Sequence, residues 1–560
     1  MSVPPLTTAL NRKSIALKST LKNYPAKIKP NHNFTINLTA IFTTTIFILA
    51  ISANSAFSQS TNRRWLQIGI VQKFGEKTTD KLTLKATPED KLNLRFKTME
   101  GEGSLSVDSV TLQIKTKPLE KPLLRERLVL SSHRSFESAE ESASKWQELG
   151  IKVEISQPGR WKVWADREVY TTPLLRRWLL QTLQARGHNS AYLDVEIVKE
   201  KKVAYWQTNG LTYHRHELDI VAGKSVILVN GIEGEEGDRL YGGTLRLQPN
   251  AYGTYTLVNN VPLETYLRGV VPHELGAWPP QASLEAQAII ARTYALRNLR
   301  RFQADNYELC ANTHCQVYKG LDVYPQTDKA IAATKGLVLT YENELVDAVY
   351  FATSGGVTAD FNDVWDGPGR PYLQPTIDSA NNIWNLSANS LASEPNFRRF
   401  MSIKKGFNED GWVDFRWREQ LSLQGVAGNL KSYLREKKST FANLKTVKEM
   451  RVLERSRSGR VLKMLVETDL GPLLLEKDEV QNALWAPWST LFYLDPIYDG
   501  QKNLQGYAIV GGGFGHGVGF SQKGSIKLAE LGWSSDRILE FYFPGTQVQP
   551  LSNEITFGSF

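Results

Sequence analysis

Between Val261 and Ala295 the chain is committed to a turn followed by a helix. Leu284, Ala288, Ala291, Ala295 and Leu299 recur at three- and four-residue steps, which predicts an amphipathic helix over about 282–302. Its core-facing side chains are small, so another element can approach it closely. Just upstream, Pro272, Pro279 and Pro280 confine the backbone. Glu274 lies in that confined stretch, with Leu275 and Trp278 beside it. A carboxyl held there would lose hydration and its pKa would rise, as a general acid requires. The plainer expectation is a surface Glu near a helix start, favoured by the helix dipole.

Around this segment the pattern is one of short alternating strands. Leu66–Val71 and Leu82–Lys85 read as strands, as do Val226–Val229, Gly243–Leu247 and Thr254–Val258. Later strand-like segments are Leu337–Leu339, Val346–Phe351, Val461–Val466 and Pro472–Leu475, and a last helix is expected at about 522–531. Residues 125–200 carry a different rhythm. Arg127–Leu130 reads as a strand and Ser135–Leu149 as a helix, with Ala139, Ala143 and Trp146 on one face and Gly150 as its stop. Lys152–Ile155 and Trp161–Trp164 are strands around a Gln157-Pro-Gly turn. Thr172–Ala185 is a helix opened by Pro173 and ended at Gly187, and Tyr192–Ile197 closes the set. The order is βαββαβ, a ferredoxin-like pattern. The expected fold class is therefore α+β, many short strands around a few helices, with an inserted βαββαβ unit. A Lys-, Arg- and Ser-rich stretch near 380–450 reads as a peripheral elaboration.

The formal charge of +9 is mostly leader: residues 1–58 hold six basic residues and no acid, and the rest has 61 basic against 58 acidic residues. A nucleic-acid partner is not expected on that balance. A basic stretch, an apolar run from Leu38 to Ala53, and Ala56-Phe57-Ser58 before Gln59 follow the order of a secretory signal. Retention of 38–53 as a membrane anchor is the alternative, although the run is short and Thr-rich for a span of roughly 20 residues. Either way the remainder is expected outside the cytoplasm, periplasmic or at the cell wall. Two cysteines, Cys310 and Cys315, are too few to staple a scaffold, so packing must stabilise the core.

Five blocks carry a resemblance. They are Val261-Pro-Leu-Glu-Thr-Tyr-Leu-Arg-Gly-Val-Val-Pro-His-Glu-Leu275 with the helix after it, Cys310-Ala-Asn-Thr-His-Cys-Gln-Val-Tyr-Lys-Gly320, Tyr350-Phe-Ala-Thr-Ser-Gly-Gly356, Gly511-Gly-Gly-Phe-Gly-His-Gly-Val-Gly-Phe-Ser-Gln522 and Phe541-Tyr-Phe-Pro-Gly-Thr546. In this order they resemble the SpoIID/LytB family, over roughly 205–550. The resemblance divides the chain into a leader (1–58), an N-terminal β segment (59–124), the βαββαβ unit (125–200) and a catalytic domain (201–560). It implies a peptidoglycan lytic transglycosylase with Glu274 as its single acid/base, acting on glycan strands, either intact or stripped of peptides. It equally covers a glycan-binding activator of a cell-wall amidase. The unit at 125–200 resembles a SPOR domain in its element order and its Arg160–Trp164 strand, and would raise local substrate concentration by tethering. A plain structural insertion is the alternative.

The other candidate site residues follow from the same blocks. Ser354, Gly355, Gly356, His516, Ser521 and Gln522 are expected to line a glycan groove by resemblance, with Trp278 and Arg292 near substrate. A turn with a hydrogen-bonded His, and a structural Ser-Gly-Gly turn, are the competing expectations. The loop around His516 lacks the Lys-Ser/Thr of a phosphate cradle, and Ser354 lacks a nucleophile elbow. Cys310, His314 and Cys315 offer three ligands for a structural Zn2+. A Cys310–Cys315 disulfide is the alternative, and the chemistry requires no cofactor.

Overall fold

Leu66, Ile68 and Ile70 alternate inward along the strand Trp65–Phe74, and this period of two repeats along the strands that follow it. The computed structural model describes residues 64–234, 237–437 and 439–557. The leader expected at 1–58, with its apolar run, lies outside the described residues. Among those described, no helix is long and apolar enough to cross a membrane. The architecture is mixed α+β, and its dominant feature is a 13-stranded sheet. Trp65–Phe74 pairs antiparallel with Tyr255–Pro262 and parallel with Leu309–Cys310, so the first described strand anchors the segments on either side of Glu274.

The βαββαβ order is realised in an unexpected way. Its outer strands are not separate strands but extensions of two long ones, Ser109–His133 and Tyr192–Thr208. These two pair antiparallel from Thr111↔Gln207 to Val129↔Tyr192, with an irregularity between Pro118 and Leu123. Trp161–Ala165 adds to the far end of Ser109–His133, and Val153–Ser156 adds to Trp161–Ala165, all antiparallel. The local strand order is 4-1-3-2, as in ferredoxin-like units. The helix Phe136–Glu148 starts where Ser135 Oγ accepts the Ser138 N–H, and it buries Phe136, Ala139, Ala143 and Trp146. Thr172 caps Pro173–Ala185 likewise. Gly150 and Gly187 stop the two helices with φ of 79° and 86°.

This unit packs directly against the rest of the fold. Trp161 lies with its ring centroid 5.2 Å from both Phe136 and Phe302. Arg300 and Arg301 form ion pairs with Glu140 and Glu137 of its first helix. Arg167 Nη2 donates to the Ala304 carbonyl at 2.7 Å.

The helix Gln281–Arg297 departs from the amphipathic expectation, because every residue from Leu284 to Arg297 except Glu285 is buried. It is the central helix of the fold, and its small side chains serve neighbours on all sides. Two further cores lie beyond it. One gathers Trp384, Phe397, Phe400, Phe407 and Phe415. The other gathers Trp417, Leu430, Leu444, Met464, Val466 and Ile509, so the polar stretch near 380–450 shares apolar cores with strands much later in the chain.

Candidate functional site

Glu274 ends the short helix Val271–Glu274, whose Pro272 occupies an early position where a missing N–H is harmless. The chain then turns at Gly276, φ 91°, towards the two prolines and the central helix. Three donors converge on the Glu274 carboxyl. Val317 N–H donates to Oε1 at 2.7 Å, Gln522 Nε2 to Oε2 at 3.4 Å, and the Tyr350 hydroxyl also donates. Tyr350 is itself oriented from behind. Tyr266 Oη donates to Gln316 Oε1 at 3.1 Å, and Gln316 Nε2 donates to Tyr350 Oη at 3.2 Å. Burial raises the Glu274 pKa above its ordinary value of 4.5, and the three donors oppose this without reversing it.

The carboxyl opens into a cavity of about 360 Å³. It is lined by Glu274, Tyr350 and Gln522, by Trp365, Phe514 and His516, and, from the ferredoxin-like unit and the turn into its first helix, by Arg134, Phe136, Glu137 and Trp161. Glu137 is the other carboxylate lining the cavity, and it is paired with Arg301. Arg301 in turn lies 4.5 Å over the Phe136 ring.

His516 lines the cavity, yet both ring nitrogens are engaged. Nε2 donates to the Tyr350 carbonyl at 2.9 Å, and Nδ1 accepts the Val518 N–H at 3.1 Å. Burial lowers its pKa to about 4, so the ring is neutral at pH 7. It positions the Tyr350 strand and is not a free acid or base.

The structure separates the other expected site residues. Ser354, Gly355, Gly356 and Ser521 do not line the cavity; they enclose a buried carboxylate. Glu409 accepts the N–H groups of Ser354, Gly355 and Gly356 at 2.5, 3.0 and 3.3 Å, and the Ser521 hydroxyl at 2.5 Å. Ser354 Oγ bridges Glu409 and Asp378, 3.0 Å from each. Tyr542 and Asn408 donate to the other Asp378 oxygen at 2.9 and 2.8 Å. Burial, then the Asp378 charge, pushes the Glu409 pKa well above 4.5. The glycines serve close backbone packing: a Cβ at Gly355, φ 71°, would lie 2.5 Å from the Gly512 carbonyl carbon.

Arg292 is fully buried, held by Glu264 at 2.8 Å through two nitrogens and by the Leu337 carbonyl at 2.9 Å, so it does not face substrate. Its place on a helix buried all round explains the difference. Trp278 is exposed and does not line the cavity. Cys310 and Cys315 are bonded to one another, with Cα atoms 5.6 Å apart. Both sulfurs are thereby consumed, and the described residues contain no cluster of three or more His, Cys, Asp or Glu suited to a metal. His314 and the two cysteines do not fit a zinc ion in this form.

Of the expected residues, the structure unites Glu274, His516 and Gln522. Residue-level reading passed over Tyr350, Gln316, Tyr266 and the Val317 amide, although Tyr350 opens one of the diagnostic blocks. It also passed over the contribution of residues 134–137.

Comparison with known proteins adds the following. Residues 251–341, which contain Glu274 and the disulfide, match the family "Stage II sporulation protein". Residues 359–519, which contain Asp378, Glu409 and His516, match a domain of unknown function, DUF8618. The chain is 27% identical to the amidase enhancer of Bacillus subtilis over 403 residues, 64% of this chain and 53% of that protein. It therefore spans about half the length of that relative. It is 26% identical to stage II sporulation protein D of Bacillus subtilis over 326 residues, 54% of this chain and 80% of that protein. With the protein of the same name from Bacillus amyloliquefaciens the identity is 27%, over 54% of this chain and 80% of that one.

Proposed function

The chain belongs to the SpoIID/LytB family, and from that premise we propose that it is a peptidoglycan lytic transglycosylase with Glu274 as its acid/base. The observation that carries the reading is the Glu274 carboxyl itself, its pKa raised by burial, three donors aimed at it, and a cavity open in front of it. An ordinary glycosidase needs two carboxylates, one as acid and one as nucleophile or base. The other carboxylate lining the cavity, Glu137, is held in an ion pair with Arg301, and the reading assigns both proton transfers to Glu274. Protonated Glu274 gives its proton to the glycosidic oxygen as the bond to the muramic C1 breaks. The resulting carboxylate takes the proton of the C6 hydroxyl as that oxygen closes on C1, which leaves a 1,6-anhydro end and restores the acid. Tyr350 and Val317 stabilise the carboxylate between the two steps. The ferredoxin-like unit acts in this scheme as a SPOR-type glycan contact built into the groove wall, and the protein works outside the cytoplasm at the cell wall.

A second reading has an observation of its own, the likeness to a protein named as an amidase enhancer. In that reading the cavity holds glycan without cutting it, and a cell-wall amidase is the partner. Mass spectrometry of purified glycan strands, digested by wild type and by Glu274→Gln, separates the two. Anhydro-muramic ends that vanish in the variant support the transglycosylase. Strands that are bound but uncut support the activator, and reducing ends indicate a hydrolase.

A further inference from the structure

Large aromatic side chains of the segment 359–519 connect to the Glu274 cavity through Phe514 and Ala352. Phe514 lines the cavity and is 51% exposed. It forms an isolated bridge with Thr353, next to cavity-lining Ala352: Phe514 N–H donates to the Thr353 carbonyl at 2.9 Å. The Trp488 ring meets Phe514 edge to face, with centroids 6.0 Å apart, and is backed by Trp417. Three residues earlier, Trp485 is 71% exposed and holds φ at 62°, a left-handed conformation that a bulky side chain rarely adopts. Gln481 fixes that loop: its carbonyl accepts the Trp485 N–H at 3.0 Å, and its side chain donates to the Trp488 carbonyl at 2.9 Å. Trp412 is 41% exposed. Lys523 lies 3.9 Å over its ring, and the Lys523 N–H donates to the carbonyl of cavity-lining Ala352 at 3.1 Å.

Exposed aromatics held by strained or cross-bonded backbone are an expense that folding alone does not require. We infer that Phe514, Trp485 and Trp412 form a stacking shelf that extends the Glu274 cavity and binds further sugar rings of the same glycan strand. The ligand chemistry is an amino-sugar polymer, whose apolar C–H faces suit flat aromatic rings and whose polar edges, with the lactyl carboxylates of peptide-free muramic acid, stay in water. Continuity with the cavity through Phe514 and Ala352 makes the strand itself the occupant. The inference rests on reading the Glu274 cavity as a glycan site. It goes further by giving residues 359–519 the task of gripping long strands.

The test uses Glu274→Gln as the parent, so that binding is measured without turnover, with purified glycan strands freed of peptides and a muramyl disaccharide as probes. Affinity for long strands should fall about three- to tenfold for each ring removed in Trp485→Ala, Phe514→Ala and Trp412→Ala. Trp485→Phe should restore most of its share, and disaccharide binding should not respond to Trp485→Ala. Tryptophan emission should shift on addition of strands, and less so without Trp485. Melting curves of these exposed-site variants check that the fold is intact. Unchanged long-strand affinity in the triple variant overturns the shelf, as does a parent that binds no strands, or variants that lose only the binding of an amidase. Strands bound through the shelf but left uncut by wild type would refute the transglycosylase reading and leave the shelf standing. Strands cut normally and bound equally well by the triple variant would do the reverse.

Discussion

Glu274 and Glu409 are two buried carboxyls whose pKa values are raised by the same cause, loss of hydration, yet they are built for opposite ends. Glu274 keeps one side open to a cavity and is met by three donors. Glu409 is wholly enclosed, its oxygens saturated by three backbone amides, two hydroxyls and Asp378. A perturbed acid is a functional candidate only where a reacting atom can reach it. Enclosed, the same perturbation marks a structural joint, here between the Tyr350–Gly356 and Ser521 segments and residues 378–409.

The Glu→Gln exchange applied at both sites gives the sharpest contrast. At Glu274 it should lower glycan cleavage by about 10²–10⁴-fold, the worth of a positioned acid/base, with little change in melting temperature. At Glu409, which does not line the cavity, it should leave most activity but lower the melting temperature, because NH2 in place of either oxygen would face a backbone N–H. Full inactivation by Glu409→Gln would erase the distinction. Glu409→Ala should instead destabilise by about 3–5 kcal/mol in denaturant titrations, since Asp378 and the amides of residues 354–356 lose their partner.

A pH series tests the same joint. Because the folded state raises the Glu409 pKa, it binds more protons than the unfolded chain above the ordinary value of 4.5. Stability should therefore fall as pH rises from 4.5 towards the raised pKa, and be lowest above it. Glu409→Gln should flatten that slope, and an unchanged slope would assign it to another group. Replacing Cys310 and Cys315 together by Ser should cost about 2 kcal/mol for so short a loop, read from urea midpoints, with cleavage retained if the disulfide only braces the site. The smallest effect is expected from Tyr350→Phe. Removing a donor that favours the carboxylate should raise the Glu274 pKa and move the alkaline limb of the activity profile up by at most about one unit. A downward move would contradict the assigned hydrogen bond.

Several parts of this arrangement were legible in the chain. Ser135 and Thr172 as helix caps, with Gly150 and Gly187 as stops, are local signals, and the βαββαβ order followed from them. Glu274 on its Pro-rich turn was equally local. Ser354 and Ser521 were misplaced because their partner is Glu409, at least 55 positions away in sequence, and no local pattern reports such a pairing. Arg292 was misplaced because periodicity shows one apolar face but not that a second layer covers the other. The place of Arg134–Glu137 in the cavity lining depended on where the long strand Ser109–His133 ends in the folded sheet.

By itself, then, the sequence determined where caps and stops bound the helices and that Glu274 sits on a proline-confined turn, because caps, periodicity and proline act over a few residues. Only the tertiary structure decided that residues 134–137 wall the groove, that Tyr350 and Val317 hold Glu274, and that Glu409 joins two distant segments. Those outcomes depend on excluding water from groups far apart in the chain, and burial of that kind exists only once the layers have packed.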